Sequence, residues 1–279
     1  MILFLLQDED VSRISDATRI DRKLVNEYLW VQRRNRAVGE KVTKFCEASW
    51  RFLMYFSFVL LAIHLLLLPA IAPWIINGEE LWKNWPHHTV TPEMDLYYNL
   101  QLGCYLHQLL WTEISRSDAL QMLLHHAVTI LLLLLSYLTN FTRIGSYILL
   151  VHDSADIFLE LGKVFNYIQR VKGQTWAGHV TDGFFFFFVV TFFVSRLVIY
   201  PRYLVNGFVV GARQAFGVWP GYYLFSALLL TLQGLHIFWF YLISRMIYRL
   251  FLTGVVEKDE RSEDDDQIVE QQVAPDKLD

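Results

Sequence analysis

The chain of 279 residues lacks several features of soluble enzymes and secreted domains. It has two cysteines, Cys46 in a basic segment and Cys104 in an apolar one, so we expect no disulfide framework. It also has no glycine-rich phosphate loop, no internal repeat and no strand-like alternation of apolar and polar residues. The first residues, MILFLL, are too short for a signal peptide and lack a basic start. We therefore expect apolar segments further along the chain to direct insertion into a membrane.

Charge is also scarce. Charged residues make up 19% of the chain and hydrophobic residues 54%, which is less charge and more apolar matter than a soluble domain usually carries. The apolar residues lie in blocks of about 17 residues or more, and a helix of that length crosses the ~30 Å core of a bilayer. The blocks are roughly 52–75, 95–113, 119–139, 144–167, 181–201 and 221–250. This pattern predicts an all-α, polytopic membrane protein with six transmembrane helices.

The lysines and arginines of the connecting segments predict the orientation. If the N-terminus is cytosolic, most of the lysines and arginines near block ends lie on the cytosolic side, as the positive-inside rule requires. We therefore expect both termini in the cytosol. Three regions follow: a basic cytosolic segment (1–45), a membrane domain (46–252) and an acidic tail (253–279). The tail contains KDERSEDDD and is predicted to be disordered. Ser262, followed by three acidic residues, is a candidate phosphorylation site, and a solvated run of charges is the alternative.

The fourth block is expensive to place in lipid. Asp153, Asp156, Glu160 and Lys163 are spaced by three, four and three residues, so they share one face of a helix. Inserting three carboxylates into the membrane costs up to ~8–10 kcal/mol of free energy, whereas inserting the apolar residues of the block contributes only ~5 kcal/mol in favour. We therefore expect this face to line a cavity or contact neighbouring helices. Pairing of Glu160 with Lys163 is the alternative explanation.

The third block places two adjacent imidazoles, His125 and His126, in a stretch otherwise suited to lipid. His126 shares a helix face with Thr129 and Ser136, and His125 is turned by about 100°. The third and fourth blocks are joined by a few residues, so they are expected to be antiparallel and to pack together. The histidines and the acidic stripe are then predicted to meet in the cytosolic half to the middle of the membrane.

At this point the chain resembles the ceramide synthases of the TLC-domain family. The resemblance covers roughly residues 42–250. It is carried by KFCEASWRF (44–52), DALQMLLHHAVTILLLLLSYLTNFTRIG (118–145), HDSADIFLELGKVFNY (152–167), SRLVIYP (195–201) and LQGLHIFWF (232–240). It implies a six-helix TLC-type barrel in the endoplasmic reticulum membrane that transfers a fatty acyl group from acyl-CoA to the amine of a sphingoid base. Acyl-CoA would be a co-substrate, with no metal or other cofactor. A homo- or heterodimer with related synthases is one expected assembly.

The resemblance also implies which residues line the reaction chamber. The candidate catalytic residues are His125, His126, His152, Asp153 and Asp156, and the candidate substrate-binding residues are Glu160, Lys163, Asn166 and Arg196. In our hypothesis His125 attacks the thioester, His126 or His152 deprotonates the amine, and Asp153 orients an imidazole. Direct transfer, with a histidine acting only as base, is the alternative.

Two further features of the sequence concern the substrates. Arg116, Arg170 and Lys172 lie on the predicted cytosolic side, where they could contact the phosphates of CoA or serve only as topology signals. The family suggests that the last lumenal loop, here near Gln214 to Tyr223, contributes to the choice of acyl length.

The chain departs from the family pattern near its N-terminus. Ceramide synthases usually begin with another membrane span, and we expect this chain to be a short isoform or a diverged member. The segment LWVQRRNRAVGEKVTKF (29–45) resembles a remnant of the homeobox-like region of animal members. No complete helix-turn-helix precedes it and it abuts a membrane span, so we expect no nucleic-acid partner.

Two other classes of function are consistent with parts of the sequence. A metal-dependent lipid oxidase would use histidines, but adjacent residues on a helix point about 100° apart and fit one ion poorly. The chain also lacks repeated HxxH and HxxHH boxes. A non-catalytic TLC-domain protein that senses or carries lipid would keep the bundle without needing the histidine pair and the HD segment together.

Overall fold

The computed structural model describes residues 8–67, 85–87, 89–110 and 118–253. The regular elements within these ranges are all helical, which confirms the predicted all-α class. They are α1 (Asp8–Thr18), α2 (Arg22–Leu67), α3 (Pro92–Leu110), α4 (Ala119–Leu138), α5 (Thr142–Lys172), α6 (Thr175–Phe192), the π-helical segments π1 (Phe193–Val205) and π2 (Gly207–Ala212), α7 (Arg213–Phe216) and α8 (Pro220–Thr253). MILFLL, Arg116 and the tail with Ser262 lie outside the described residues.

Four of the described helical stretches are long and apolar enough to cross a membrane. They are Arg22–Leu65, Ala119–Leu138, Thr175–Ala212 and Pro220–Arg249. The second and fourth predicted spans are also helical, as α3 and α5, but they carry more polar residues. The polytopic class is therefore confirmed, and the count of six spans remains a prediction. The proposed boundary at residue 45 lies inside α2, which continues across it without a break.

Short connections hold α4, α5 and α6 together. The turn between α4 and α5 is closed by the Phe141 amide, which donates to the carbonyl oxygen of Ser136 at 2.7 Å. α5 ends at Gly173, whose φ of 64° is the left-handed conformation that glycine adopts without steric cost. Its amide donates to the carbonyl oxygen of Gln169 at 2.8 Å. These tight turns make consecutive helices antiparallel neighbours, as the sequence predicted.

The fifth predicted span, 181–201, is shorter than the continuous run of helical elements in which it lies, which extends over residues 175–216. α6 begins at Thr175 and passes directly into π1, which contains Pro201. Proline removes a backbone donor and its ring clashes with the preceding α-helical turn, and the wider turns around it relieve that clash. The helical path then continues through π2 and α7 to Phe216.

The predicted lumenal loop near Gln214 to Tyr223 is correspondingly short. Only residues 217–219 connect α7 to α8. Tyr222 already lies in α8, and its hydroxyl donates to the carbonyl oxygen of Val209 at 2.9 Å. This segment is therefore mainly helix ends packed against the bundle, not an extended loop.

α5 is the central helix of the bundle. It packs against α2 and α6 and also contacts π1 and α4. α4 contacts α5, as predicted, but it packs more extensively against α3 and α8. The largest buried apolar cluster includes Ala155 of α5, Phe192 of α6, Tyr200 of π1 and Leu232 of α8. The polar residues of α4 and α5 consequently face an interior that α3, π1 and α8 also enclose.

Candidate active site

Three imidazoles from α4 and α5 come together inside the bundle. His125, His126 and His152 are all buried. The ring centroids of His125 and His126 are 5.6 Å apart, and those of His125 and His152 are 6.1 Å apart with an interplanar angle of 27°. The ring of Tyr105, from α3, lies about equally far from the first two, at 6.3 and 6.2 Å. The structure thus brings the histidine pair of α4 together with His152, which directly precedes the acidic stripe of α5.

His152 is held at both ring nitrogens. Its Nδ1 lies 2.7 Å from the carbonyl oxygen of Ile148, one helical turn earlier in α5. Its Nε2 lies 2.8 Å from Nε2 of His236, in α8. The ring of Tyr200 meets that of His152 edge to face at 5.4 Å. These contacts leave the imidazole of His152 little freedom to rotate.

Asp153 is buried, and its partner comes from α3, a helix on which no site residue was predicted. The side-chain amide of Gln101, in α3, donates to Oδ2 of Asp153 at 2.5 Å and to the hydroxyl of Tyr97 at 3.3 Å. Oδ1 of Asp153 is buried and has no hydrogen-bond partner among the described residues. The expected contact between Asp153 and an imidazole is therefore replaced by one with an amide.

Asp156 and Arg196 form an ion pair between α5 and π1. Arg196 Nη2 lies 2.8 Å from Oδ2 of Asp156 and also donates to the carbonyl oxygen of His152 at 2.8 Å. Its guanidinium lies over the ring of Phe192, 4.8 Å from the centroid. Arg196 was predicted to bind substrate. In this geometry it is buried and joins the carboxyl and backbone groups of α5 to π1.

The part of the acidic stripe nearer the C-terminal end of α5 pairs internally, which was the alternative explanation for the stripe. Lys163 Nζ donates to Oε1 of Glu160 at 2.6 Å, and Oε2 of Glu160 is buried with no hydrogen-bond partner in the described part of the chain. Asn166 lies further along α5, where its Oδ1 accepts a hydrogen bond from Arg170 Nε at 3.3 Å. Lys172, like Arg170, is exposed. The stripe thus divides into a buried part around Asp153 and a partly exposed part beyond Glu160.

Two residues of α8 reach the cluster without having been predicted. His236 is fully buried. One turn later, the ring of Trp239 meets that of His125 edge to face at 5.3 Å, and its indole Nε1 donates to Oδ2 of Asp118 at 3.3 Å. A signal for His236 existed, because an ionisable residue inside an apolar span is a functional candidate in its own right. No comparable signal marks Gln101, which is uncharged.

An apolar cavity opens from this cluster. Its unfilled space is about 530 Å³, including the space at its partly open side. His152, Thr129 and Tyr105 line its polar end. The rest is lined mainly by apolar side chains of α4, α5, π2 and α8, among them Leu132, Leu149, Phe141, Phe208 and Phe225. The cavity is therefore mainly apolar, with the imidazole of His152 in its lining.

The described residues contain no group of three or more His, Cys, Asp or Glu side chains placed to hold one metal ion. His236 Nε2 faces His152 Nε2 across a hydrogen bond, which leaves no room for an ion between these two atoms. These two imidazole nitrogens are therefore engaged with each other.

Fold and site together define a polytopic helical membrane protein with a buried histidine and carboxyl cluster. The chain belongs to the TLC-domain family, whose model matches residues 44–245. It is 37% identical to human ceramide synthase 4 over 83% of this chain and 57% of that protein. It is 35% identical to human ceramide synthase 5, again over 83% of the chain and 57% of the relative.

A plant relative is covered more completely. The chain is 32% identical to ceramide synthase LOH2 of Arabidopsis thaliana over 85% of this chain and 79% of that protein. The chain thus spans little more than half the length of the human relatives and about four fifths of the plant one.

Proposed function

We propose that this chain is a ceramide synthase, which transfers a fatty acyl group from acyl-CoA to the amine of a sphingoid base. The observation that carries the proposal is the buried cluster of His125, His126 and His152, of which His152 also lines an apolar cavity. The names of the relatives support the same activity. Acyl-CoA is then a co-substrate, and no metal or other cofactor takes part.

The reaction needs a nucleophile or base that is neutral near pH 7, because the sphingoid amine must lose a proton before it attacks. In the covalent route a ring nitrogen of neutral His125 attacks the thioester carbonyl carbon and the C–S bond breaks. The acylated ring loses its N–H proton, and the CoA thiolate takes up a proton in exchange. The amine then attacks the acyl-imidazole, the amide C–N bond forms, and the bond between the carbonyl carbon and the ring nitrogen breaks. The proton that the amine loses passes through a second base to the leaving imidazole, which restores neutral His125.

The contacts of His152 bear on the identity of this second base. Both of its ring nitrogens are engaged, with Ile148 and with His236. A base must offer a lone pair, and the lone pair of His152 is committed to its hydrogen-bonded partner. His126, which is buried beside His125, is therefore the favoured base. Asp153 and Asp156 act by holding the surrounding groups in place.

The covalent route can be separated from direct transfer by a trapping experiment. Purified protein is incubated with radiolabelled acyl-CoA in the absence of sphingoid base, and the labelled protein is quantified after denaturation. We expect label on the wild type and none on His125→Ala. An active enzyme that never acquires label would instead use a histidine only as base.

The cavity and the charges suggest how both substrates are held. The acyl chain occupies the apolar cavity, while CoA stays on the cytosolic side near the exposed Arg170 and Lys172. Glu160 and Lys163 lie between these regions and remain candidate contacts of the sphingoid head group, with Asn166 and Arg196 as further candidates. The protein would reside in the endoplasmic reticulum membrane among membrane lipids, with both termini cytosolic, alone or as a dimer with related synthases.

The activity is tested in microsomes with acyl-CoA and sphinganine. Wild type, His125→Ala and Asp153→Ala are compared with His179→Ala, which changes an exposed histidine of α6. We expect ceramide from wild type and His179→Ala, and at least a 100-fold loss in the other two (on the order of that seen when a general base or nucleophile is removed). Equal product from all four would reject the site. No product from any, with lipid bound to the wild type, would indicate the non-catalytic lipid-sensing class.

A further inference from the structure

His236 is the most deeply buried imidazole of the site, and it belongs to none of the roles assigned above. Its relative exposure is 0%. It lies in α8, 84 residues away from His152 in sequence, and the two Nε2 atoms are 2.8 Å apart. The ring of Tyr200 packs edge to face against it at 4.9 Å. The hydrogen bond with His152 is thus the polar contact that points to a role for this buried imidazole.

The protons of this pair follow from hydrogen-bonding rules. The carbonyl oxygen of Ile148 can only accept, so Nδ1 of His152 must carry a proton. In a neutral imidazole the other nitrogen, Nε2, then bears the lone pair. The proton between the two rings consequently belongs to Nε2 of His236. Nδ1 of His236 then bears the lone pair of that ring, and it has no hydrogen-bond partner among the described residues.

His152 is thereby held in one tautomer and one ring orientation. Its two ring nitrogens are bound by Ile148 and His236, and its backbone carbonyl accepts from Arg196 at 2.8 Å. The face of this fixed ring lies against the ring of His125. Loss of the bond from His236 would leave a buried lone pair without a donor and would free the ring of His152 to rotate.

We propose that His236 is a positioning residue: it donates its Nε2 proton to His152 and so keeps His152 as the fixed support of the His125 ring. The inference rests on the proposed acyl transfer, in which His125 reacts. It assigns His236 no contact with substrate. The expected signature is a change in turnover with little change in the apparent affinity for either substrate.

Three substitutions at His236 separate hydrogen-bond donation from space filling. In His236→Gln the amide nitrogen occupies about the position of Nε2 and can donate to His152, whereas in His236→Asn it reaches only about as far as Nδ1. His236→Leu keeps volume but donates nothing. We expect kcat for sphinganine acylation to fall about tenfold or more in the Asn and Leu variants, because small displacements of reacting groups are costly. The Gln variant should stay within about threefold of wild type.

Folding is checked for each variant by size-exclusion profile and thermal unfolding in detergent, and KM is measured for both substrates. His179→Leu serves as the matched control at an exposed histidine of α6. Equal kcat in the Gln and Leu variants, both folded, would overturn the proposal. So would a Leu variant as active as wild type.

A second measurement does not depend on activity. The protein is labelled with ¹⁵N-histidine in nanodiscs, and the His152 signals are assigned by their loss in His152→Asn. We expect protonated Nδ1 and unprotonated, hydrogen-bonded Nε2 at His152 in wild type and His236→Gln, with the Nε2 signal displaced in His236→Leu. A wild-type spectrum with the proton on Nε2 of a neutral His152 would refute the inference. Failure of the proposed function would appear differently, as absence of ceramide despite this signature.

Discussion

The contact between Gln101 and Asp153 leads to a sharp prediction for the substitution Gln101→Leu. Both side chains are 1% exposed, and they belong to different helices, α3 and α5. The amide of Gln101 is the donor to Oδ2 of Asp153, and Oδ1 has no partner among the described residues. Leucine has nearly the volume of glutamine but no polar group. The substitution therefore removes the donor from a buried carboxyl group while disturbing the packing little.

The size of the effect follows from this loss. A buried polar group left without its partner costs about 1–3 kcal/mol, and a charged one costs more. Each 1.4 kcal/mol corresponds to a factor of ten. We expect the free energy of unfolding to fall by about 1–3 kcal/mol. If Asp153 instead turns toward another donor, the penalty appears as a loss of roughly 10- to 100-fold in kcat.

Gln233→Leu is the matched control, because it makes the same substitution in α8 at a glutamine whose buried Oε1 has no hydrogen-bond partner among the residues that the structure describes. Acylation of sphinganine and thermal unfolding are measured in nanodiscs for wild type, both leucine variants and Asp153→Leu. Only Gln101→Leu and Asp153→Leu should be impaired. Wild-type stability and turnover in Gln101→Leu, beside an inactive Asp153→Leu, would show that Asp153 does not depend on this amide.

Three further substitutions test other contacts. Gly145→Ala would place its Cβ onto the Tyr98 hydroxyl, so the free energy of unfolding should fall by about 1–3 kcal/mol. Adding Tyr98→Phe to the same chain should restore part of this stability, as measured by thermal unfolding. Lys163→Met leaves the Glu160 carboxylate buried without its cation, so the free energy of unfolding should fall by about 1–3 kcal/mol. A double variant with Glu160→Gln and Lys163→Met that is no more stable than Lys163→Met alone would contradict this. Arg196→Lys keeps the charge but loses the planar guanidinium that joins Asp156 to the His152 carbonyl, so kcat should fall about tenfold; unchanged kinetics would remove Arg196 from the supporting structure.

The sequence was sufficient to predict that α4 and α5 place imidazole and carboxyl groups in the interior of the bundle. Two adjacent histidines and a stripe of carboxylates inside apolar blocks are too costly to face lipid, and this cost depends only on composition. The three- and four-residue spacing of Asp153, Asp156 and Glu160 then determines a helix face, because helical periodicity is local. The short turn around Asn140 makes the two helices neighbours. Each of these inferences uses residues that are close together along the chain.

The partners of those residues could not be predicted in the same way. Asp153 was expected to contact an imidazole, but its carboxyl group instead accepts a hydrogen bond from Gln101 of α3. His152 was one of two candidate bases, with His126 the other, but His236 of α8 occupies its Nε2. Each outcome depends on how helices distant in sequence are rotated and offset relative to one another.

The sequence by itself thus determined the membrane class, the helical composition and the two helices that supply imidazole and carboxyl groups. These properties follow from hydrophobicity and helical periodicity, which act over a few turns of chain. Only the tertiary structure decided which residue binds Nε2 of His152, which helix supplies the donor for Asp153, and which side chains line the apolar cavity. Hydrogen bonds form over distances of about 3 Å, so they depend on the packing of side chains from separate helices, which no local pattern contains.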